Sequence, residues 1–262
     1  MGITQATGAN KEAHPFPITL GRGRQRADTP GSADKRERIL AAAERLFAAQ
    51  GYASTTMEQI VQALGVTKPY VYYYFRNKLE IFELLSWRPA VACFTVLDFA
   101  EGDARPAHEK VAAGMEQLIR ATIAHYPAAF FPYREPQVYS PRFVAAKKRL
   151  ADHFYERLCL LLEQGRAEGW FDVGEVRIAA QAACSLPGFL YQWYRPDGRL
   201  PPEAMVAELT RLACRVLGLR GSVGPAPQAA GLAARAEDAA AHAHQRAAGG
   251  DGGLQVGRHA QR

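Results

Sequence analysis

The stretch Gly51-Tyr52-Ala53-Ser54-Thr55-Thr56-Met57-Glu58-Gln59-Ile60, followed after three residues by Leu64-Gly65-Val66-Thr67-Lys68-Pro69-Tyr70-Val71-Tyr72-Tyr73-Tyr74-Phe75-Arg76-Asn77-Lys78, decides the fold. Thr55 with Glu58 three positions on has the spacing of a reciprocal capping box, so a helix is predicted to start there and run through Ile60, Val61 and Leu64. Gly65 ends it. Thr67 is placed to cap a further helix whose first turn tolerates Pro69, because amides there have no intrahelical partner. Asn77 caps the next. Ile60, Leu64, Val66, Val71 and Phe75 are spaced to pack these two short helices against each other and onto a preceding one. Such a unit presents its second helix to the major groove of DNA.

The residues left facing outward on that second helix are Thr67, Lys68, Pro69, Tyr70, Tyr72, Tyr73 and Tyr74. Phenol hydroxyls reach phosphates while their rings pack on sugars or thymine methyls, and Lys68 can donate to guanine acceptors. For Tyr74 a place in the core and a place in the groove are both open.

Working outward, Ile39, Leu40, Ala43, Leu46 and Phe47 form the apolar stripe of a first helix that Gly51 is placed to end. Lys35, Arg36, Glu37, Arg38, Glu44 and Arg45 make its charged face. Beyond Lys78, helices are predicted over 78–101, 106–125, 142–168, 175–194 and 202–218. Pro89 and Pro187 fall inside two of these and are expected to kink or split them. Pro127, Pro132, Pro136 and Pro141 punctuate a segment expected to be turns and broken helix. No strand-like alternation occurs. The expected fold is all-α, with a disordered basic arm over 1–33, a three-helix helix-turn-helix domain over 34–80, a larger helical bundle over 81–220 and a disordered tail over 221–262.

From Lys35 to about Leu85 the chain resembles the TetR family of transcriptional regulators (TetR/AcrR type), whose signature is a Gly-Tyr, Thr-Thr, Gly-Val-Ser/Thr, Leu-Tyr-x-His-Phe, Ser/Asn-Lys series. Gly51, Thr55, Thr56, Gly65, Val66, Tyr72, Phe75, Asn77 and Lys78 reproduce its spacing without a gap. The resemblance implies that Thr55 or Thr56, Tyr72 and Lys78 hold phosphates, and that Lys68, Pro69, Tyr70 and Tyr73 read bases. Tyr74 stands where the family usually has His, and Pro69 where it often has Gly; both bear on base preference. The implied function is a ligand-responsive repressor that binds pseudo-palindromic double-stranded operator DNA as a homodimer. An activator, or a ligand-independent DNA-binding protein of the same fold, is the alternative.

The rest of the composition fits a regulator better than an enzyme. Across 262 residues the formal charge is +6 and the pI about 9.2, which favours polyanionic partners without requiring them. Cys93, Cys159, Cys184 and Cys214 are scattered singly among apolar neighbours and read as small buried hydrophobes of a reducing compartment. The N-terminus has no apolar run after a basic start, and the longest uncharged stretch, Ile178–Tyr194, is 17 residues broken by Gln181, Ser185, Pro187, Gly188 and Gln192, against roughly 20 for a membrane span. The expectation is a cytoplasmic protein without a membrane partner. His108, His125 and His153 stand alone, His242 and His244 sit in the tail, and no nucleophile, metal or P-loop string is present, so neither cofactor nor metal nor catalysis is expected. Arg22, Arg24 and Arg26 form a basic cluster that is either a minor-groove arm or a solvated tail.

For the C-terminal half, which the resemblance makes a ligand-binding and dimerisation domain, Met205, Leu209, Leu212 and Val216 form a seam widened by Val206, Ala213 and Leu217. With Ala179, Ala182, Ala183 and Leu186 of the preceding helix it is read as a four-helix dimer interface, with an intramolecular core as the competing reading. Trp87, Phe94, Met115, Phe131, Tyr133, Phe154 and Tyr191 are the candidate cavity lining, along with Phe130 and Trp193. Arg134, set among aromatic faces, is the candidate cation, either for an acidic ligand or for a surface pair with Glu135 or Asp152. An Arg195-Pro196-Asp197-Gly198 series after Tyr191, Trp193 and Tyr194 resembles family members that respond to acyl-coenzyme A. The expected effector is a small apolar acid or its acyl-CoA thioester.

Overall fold

The structure is a computed structural model that describes residues 32–221. The Arg22, Arg24 and Arg26 cluster and the His242 and His244 pair lie outside the described residues.

Helix α1 (Ser32–Ser54) buries Ile39, Leu40, Ala43 and Phe47. Gly51, non-helical at φ +79° and ψ 171°, breaks the regular helix where its sequence predicts, and one further turn follows across the kink to Ser54. Helix α2 (Met57–Leu64) starts one residue later than the capping-box spacing predicts. Thr55 is fully buried with its hydroxyl turned back to donate to the Gly51 carbonyl at 2.7 Å. The capping role therefore passes to Thr56, whose Oγ1 accepts from the Gln59 amide at 3.1 Å while Gln59 Oε1 accepts from the Thr56 amide at 2.8 Å. Gly65, left-handed at φ +63°, ends α2 and turns the chain into α3 (Lys68–Tyr74), with Pro69 in its first turn.

Ile60, Val71 and Phe75 close the N-terminal core against α1, with Leu64 and Val66 half-buried around them. Helix α4 (Lys78–Phe94) is capped by Asn77 and runs through Pro89 unbroken. It serves two cores: Ile81, Phe82 and Leu85 fill the N-terminal one and Cys93 the C-terminal one.

The C-terminal half holds α5 (Ala107–Ala124), a 3-10 turn (Ala128–Phe130), α6 (Phe131–Arg134), α7 (Pro141–Ala167), α8 (Val176–Gly188), α9 (Leu190–Trp193) and α10 (Pro202–Val216). The proline-rich segment is the broken helix its sequence predicts. Pro187 lies in the last turn of α8, and the chain resumes after Phe189 as the short α9. On α10, Val206, Leu209, Ala213 and Leu217 just beyond its end are buried in the C-terminal core, whereas Met205 and Leu212 are half-buried and Val216 is exposed. The inner half of the expected dimer seam is thus intramolecular core. No helix among the described residues is long and apolar enough to cross a membrane.

Candidate nucleic-acid interface and effector cavity

Of the residues expected to meet DNA, Thr56, Thr67, Lys68, Pro69, Tyr72 and Tyr73 are exposed, Tyr72 and Tyr73 by 44% and 65% of their surfaces. Tyr70 is half-buried, stacked edge-on against Tyr74 with ring centroids 5.5 Å apart. Tyr74 is likewise half-buried, packed between Tyr70 and Tyr73 and against the N-terminal core, so it supports the reading face from below. Lys68 is not idle: its ammonium meets the Glu58 carboxylate of α2 at 2.6 Å, both side chains being well exposed. That bond holds the Glu58 carboxyl below its usual range and the Lys68 ammonium above. A cation engaged this way is screened from a neighbouring phosphate until the pair opens.

Thr55 is buried, and Lys78 is half-buried at the α1–α2 corner. Thr55 is inside the kink. Lys78 reaches from the first turn of α4 across to the end of α1, donating to the Tyr52 and Thr55 carbonyls at 2.7 Å each, with its Nζ 4.2 Å from the Tyr52 ring centroid. An ammonium answers there the carbonyls that the helix end leaves unpaired. In this geometry Lys78 positions the α1–α2 corner that carries Thr56.

The same corner is held from the C-terminal half. Glu135, just after α6, accepts the Tyr52 amide through Oε1 at 3.2 Å. Phe131 of α6 enters the N-terminal core, stacked on Phe82 at 5.0 Å and edge-on to Phe47 at 6.2 Å. Glu83 of α4 is buried and its Oε1 accepts the Ser140 amide at 2.8 Å, while Ser86 shares a 2.7 Å hydrogen bond with the Tyr139 hydroxyl. Segment 131–140 is thereby bonded along α4 and onto the end of α1.

On the other side of that segment is a cavity of about 90 Å³ between α4, α5, α7, α8 and the turn before α6. Of the expected lining, Phe94, Tyr133, Phe154 and Phe130 are there. Trp87 instead meets Phe143 edge-on at 6.1 Å, and Met115 is core packing. Tyr191 stacks behind Tyr133 at 5.7 Å, and Trp193 is half-exposed. Arg134 is exposed and outside the lining. Neither surface partner considered for it is placed to take it: Glu135 holds the Tyr52 amide and Asp152 pairs with Lys148 at 2.6 Å.

The charged side chain that lines the cavity is Lys147 of α7, which sequence reasoning missed. The available signal was its setting, since the residues three and four positions away are Phe143, Val144, Leu150 and Ala151, none of them an acid. Cys93 and Cys184 also line it. Burial pushes their thiols up to about 11 and about 12, so both are neutral at physiological pH and unsuited to nucleophilic work.

A helix-turn-helix corner exposing a tyrosine-rich second helix, bonded to a cavity-bearing helical bundle, is the architecture of a DNA-binding protein. Residues 39–85 match the model for bacterial regulatory proteins of the tetR family, and residues 104–217 match that for the tetracyclin repressor-like C-terminal domain. The chain belongs to the TetR family of transcriptional regulators; it is not an enzyme. Over 50 residues it is 42% identical to the HTH-type transcriptional regulator SrpR of Pseudomonas putida, covering 19% of this chain and 24% of that one. The match to this curated relative thus spans about a quarter of the relative's length. The crystal structure of the TetR family regulator PfmR from Thermus thermophilus aligns with TM-score 0.62 and 26% identity, over 71% of this chain and 100% of that one. AibR, solved in complex with isovaleryl coenzyme A and operator DNA, aligns with TM-score 0.58 and 18% identity over 71% of this chain and 99% of that one, a likeness of fold alone.

Proposed function

We propose that the chain is a repressor that binds a pseudo-palindromic operator as a homodimer and releases it when a small apolar acid or acyl thioester occupies the cavity. The observation that carries this reading is the continuity of segment 130–135: Phe130 lines the cavity, and Phe131 and Glu135 grip the domain that carries α3. A ligand that enlarges the cavity displaces Phe130, and through its neighbour displaces the α1–α2 corner. The volume of about 90 Å³, set against roughly 300–1,000 Å³ for occupied ligand sites, means that a ligand opens the site as it enters. AibR, which shares the fold, is solved with isovaleryl coenzyme A and operator DNA, which supports the ligand class and not the release step.

The homodimer is supported by an apolar stripe on α8, where Ile178 exposes 68% of its surface and Phe189, just beyond the helix end, 58%, with exposed Ala182 and Ser185 between them. A second copy laid against that stripe removes it from water and repeats the reading helix at the spacing of two half-sites. Thr56 and Tyr72 supply phosphate contacts, and Lys68, Pro69, Tyr70 and Tyr73 meet base edges. Footprinting of the DNA flanking the encoding gene, with and without candidate acids and thioesters, tests the whole reading. Two protected half-sites about one helical turn apart, lost on adding an effector, are expected. Protection of a single half-site by a monomer, or protection that no such compound alters, overturns it.

A further inference from the structure

Lys147 is a cation with no anionic partner among the described residues. Its Nζ sits 5.5 Å from the centroid of the Tyr133 ring, which stabilises an ammonium far less than a carboxylate does. It forms no ion pair among the described residues, while its neighbour Lys148 points outward and takes Asp152 at 2.6 Å. Burial alone holds its ammonium below the ordinary lysine range, with no carboxylate to raise it. Every other residue lining the cavity is uncharged, and most are aromatic or aliphatic. The hydroxyls of Thr122 and Ser86 in that lining are already spent on the Leu118 and Phe82 carbonyls.

A partly desolvated cation without a counter-ion at the wall of an apolar cavity is costly to the empty protein, and an anionic ligand offsets that cost. We infer that Lys147 is the specificity-determining residue of the cavity and that its ligand is a compact aromatic or branched apolar monocarboxylate, whose carboxylate pairs with the Lys147 ammonium while its body lies among Phe94, Phe130, Tyr133 and Phe154. The inference rests on reading the cavity as the effector site, and assigns to Lys147 the role that the chain's arginine at 134, exposed outside the lining, is not placed to fill. A thioester lacks the carboxylate, so it gains nothing from the cation at this point. Lysine suits the task because its flexible stem packs along the aromatic wall while the head turns inward.

Calorimetry on the full chain without DNA tests this directly, using benzoate, phenylacetate and 4-phenylbutyrate, their primary amides, and phenylacetyl-coenzyme A. At least one acid is expected to bind the parent tenfold or more tightly than its amide. Lys147→Met is expected to weaken that acid on the order of tenfold to a hundredfold and to leave amide binding unchanged, which reports that the cavity is intact. Lys147→Arg retains the acid preference, and Arg134→Ala behaves as the parent. The inference is overturned if no acid binds the parent, if amides or the thioester bind as well as the acids, or if Lys147→Met keeps its preference for acids. Operator release is read separately by fluorescence anisotropy. Acid binding that follows this pattern without releasing DNA removes the repressor mechanism and leaves Lys147's role standing.

Discussion

Phe130 and Phe131 are consecutive in the chain and belong to different cores. Phe130 is buried at the cavity wall, edge-on to Tyr126 at 5.8 Å, and Phe131 lies flat on Phe82 at 5.0 Å inside the helix-turn-helix domain. A single peptide unit therefore joins the cavity wall to the core of the helix-turn-helix domain. Densely packed cores transmit a displacement because they have little free volume to absorb it.

Phe131→Leu keeps an apolar side chain at the junction and is expected to cost under about 1.5 kcal/mol of stability. Operator affinity without effector stays within a few-fold of the parent, while maximal effector-driven release shrinks by fivefold or more, a loss of about 1 kcal/mol of coupling. Anisotropy titrations at saturating effector measure it, and undiminished release would show that the signal bypasses this ring.

Lys78→Met removes the two 2.7 Å bonds to the Tyr52 and Thr55 carbonyls. The ligand-free protein is expected to lose about 1–3 kcal/mol, with Tm falling by about 2–4 °C for each kcal/mol. Tyr72→Phe leaves Tm unchanged and weakens all duplexes alike with the salt slope unaltered, as removal of an uncharged phosphate-binding hydroxyl does. Thermal melts without DNA separate the two, and an unaltered melt for Lys78→Met would return that residue to the phosphate surface.

The two adjacent threonines part company. Thr56→Ala loses the cap of α2 for about 1 kcal/mol and weakens binding to every duplex. Thr55→Val, which removes the 2.7 Å bond to Gly51 inside the kink, costs about 0.5–1.5 kcal/mol with little effect on affinity for any duplex. Equal losses of duplex affinity in both variants would place both hydroxyls in the same role.

Glu58→Gln releases Lys68 from its 2.6 Å pair and removes a negative charge from the DNA-facing corner. Affinity for operator and random duplex is expected to rise roughly two- to tenfold at low salt, a gain that disappears at high salt. Lys68→Ala erodes discrimination between operator and random DNA by about 1–3 kcal/mol for each base edge it no longer reads. Competition assays at two salt concentrations measure both, and weaker binding by Glu58→Gln would mean that the pair itself orients Lys68 for its base.

What the sequence by itself determined is what a few neighbouring residues determine. Gly51, Gly65, Pro69 and Asn77 punctuate the backbone by their own conformational preferences, and Ile60, Val71 and Phe75 sort to one side at helical spacing, so the helix-turn-helix and the exposed face of α3 were legible in the sequence, although Thr67 takes the N-cap position of α3 without the side-chain bond its type predicts. Even there, which of two adjacent threonines caps α2 depended on whether Thr55 had an acceptor behind it, and that acceptor exists because the chain makes one further turn after the break at Gly51. Only the tertiary structure decided the rest. Lys78 finds Tyr52 across 26 residues and Glu135 finds it across 83, and Lys147 rather than Arg134 faces the cavity because α7 turns that face toward α4 and α8. Spacing along one helix fixes which side chains share a face, but which neighbour that face meets is set by how whole helices pack, a choice distributed over every contact of the core.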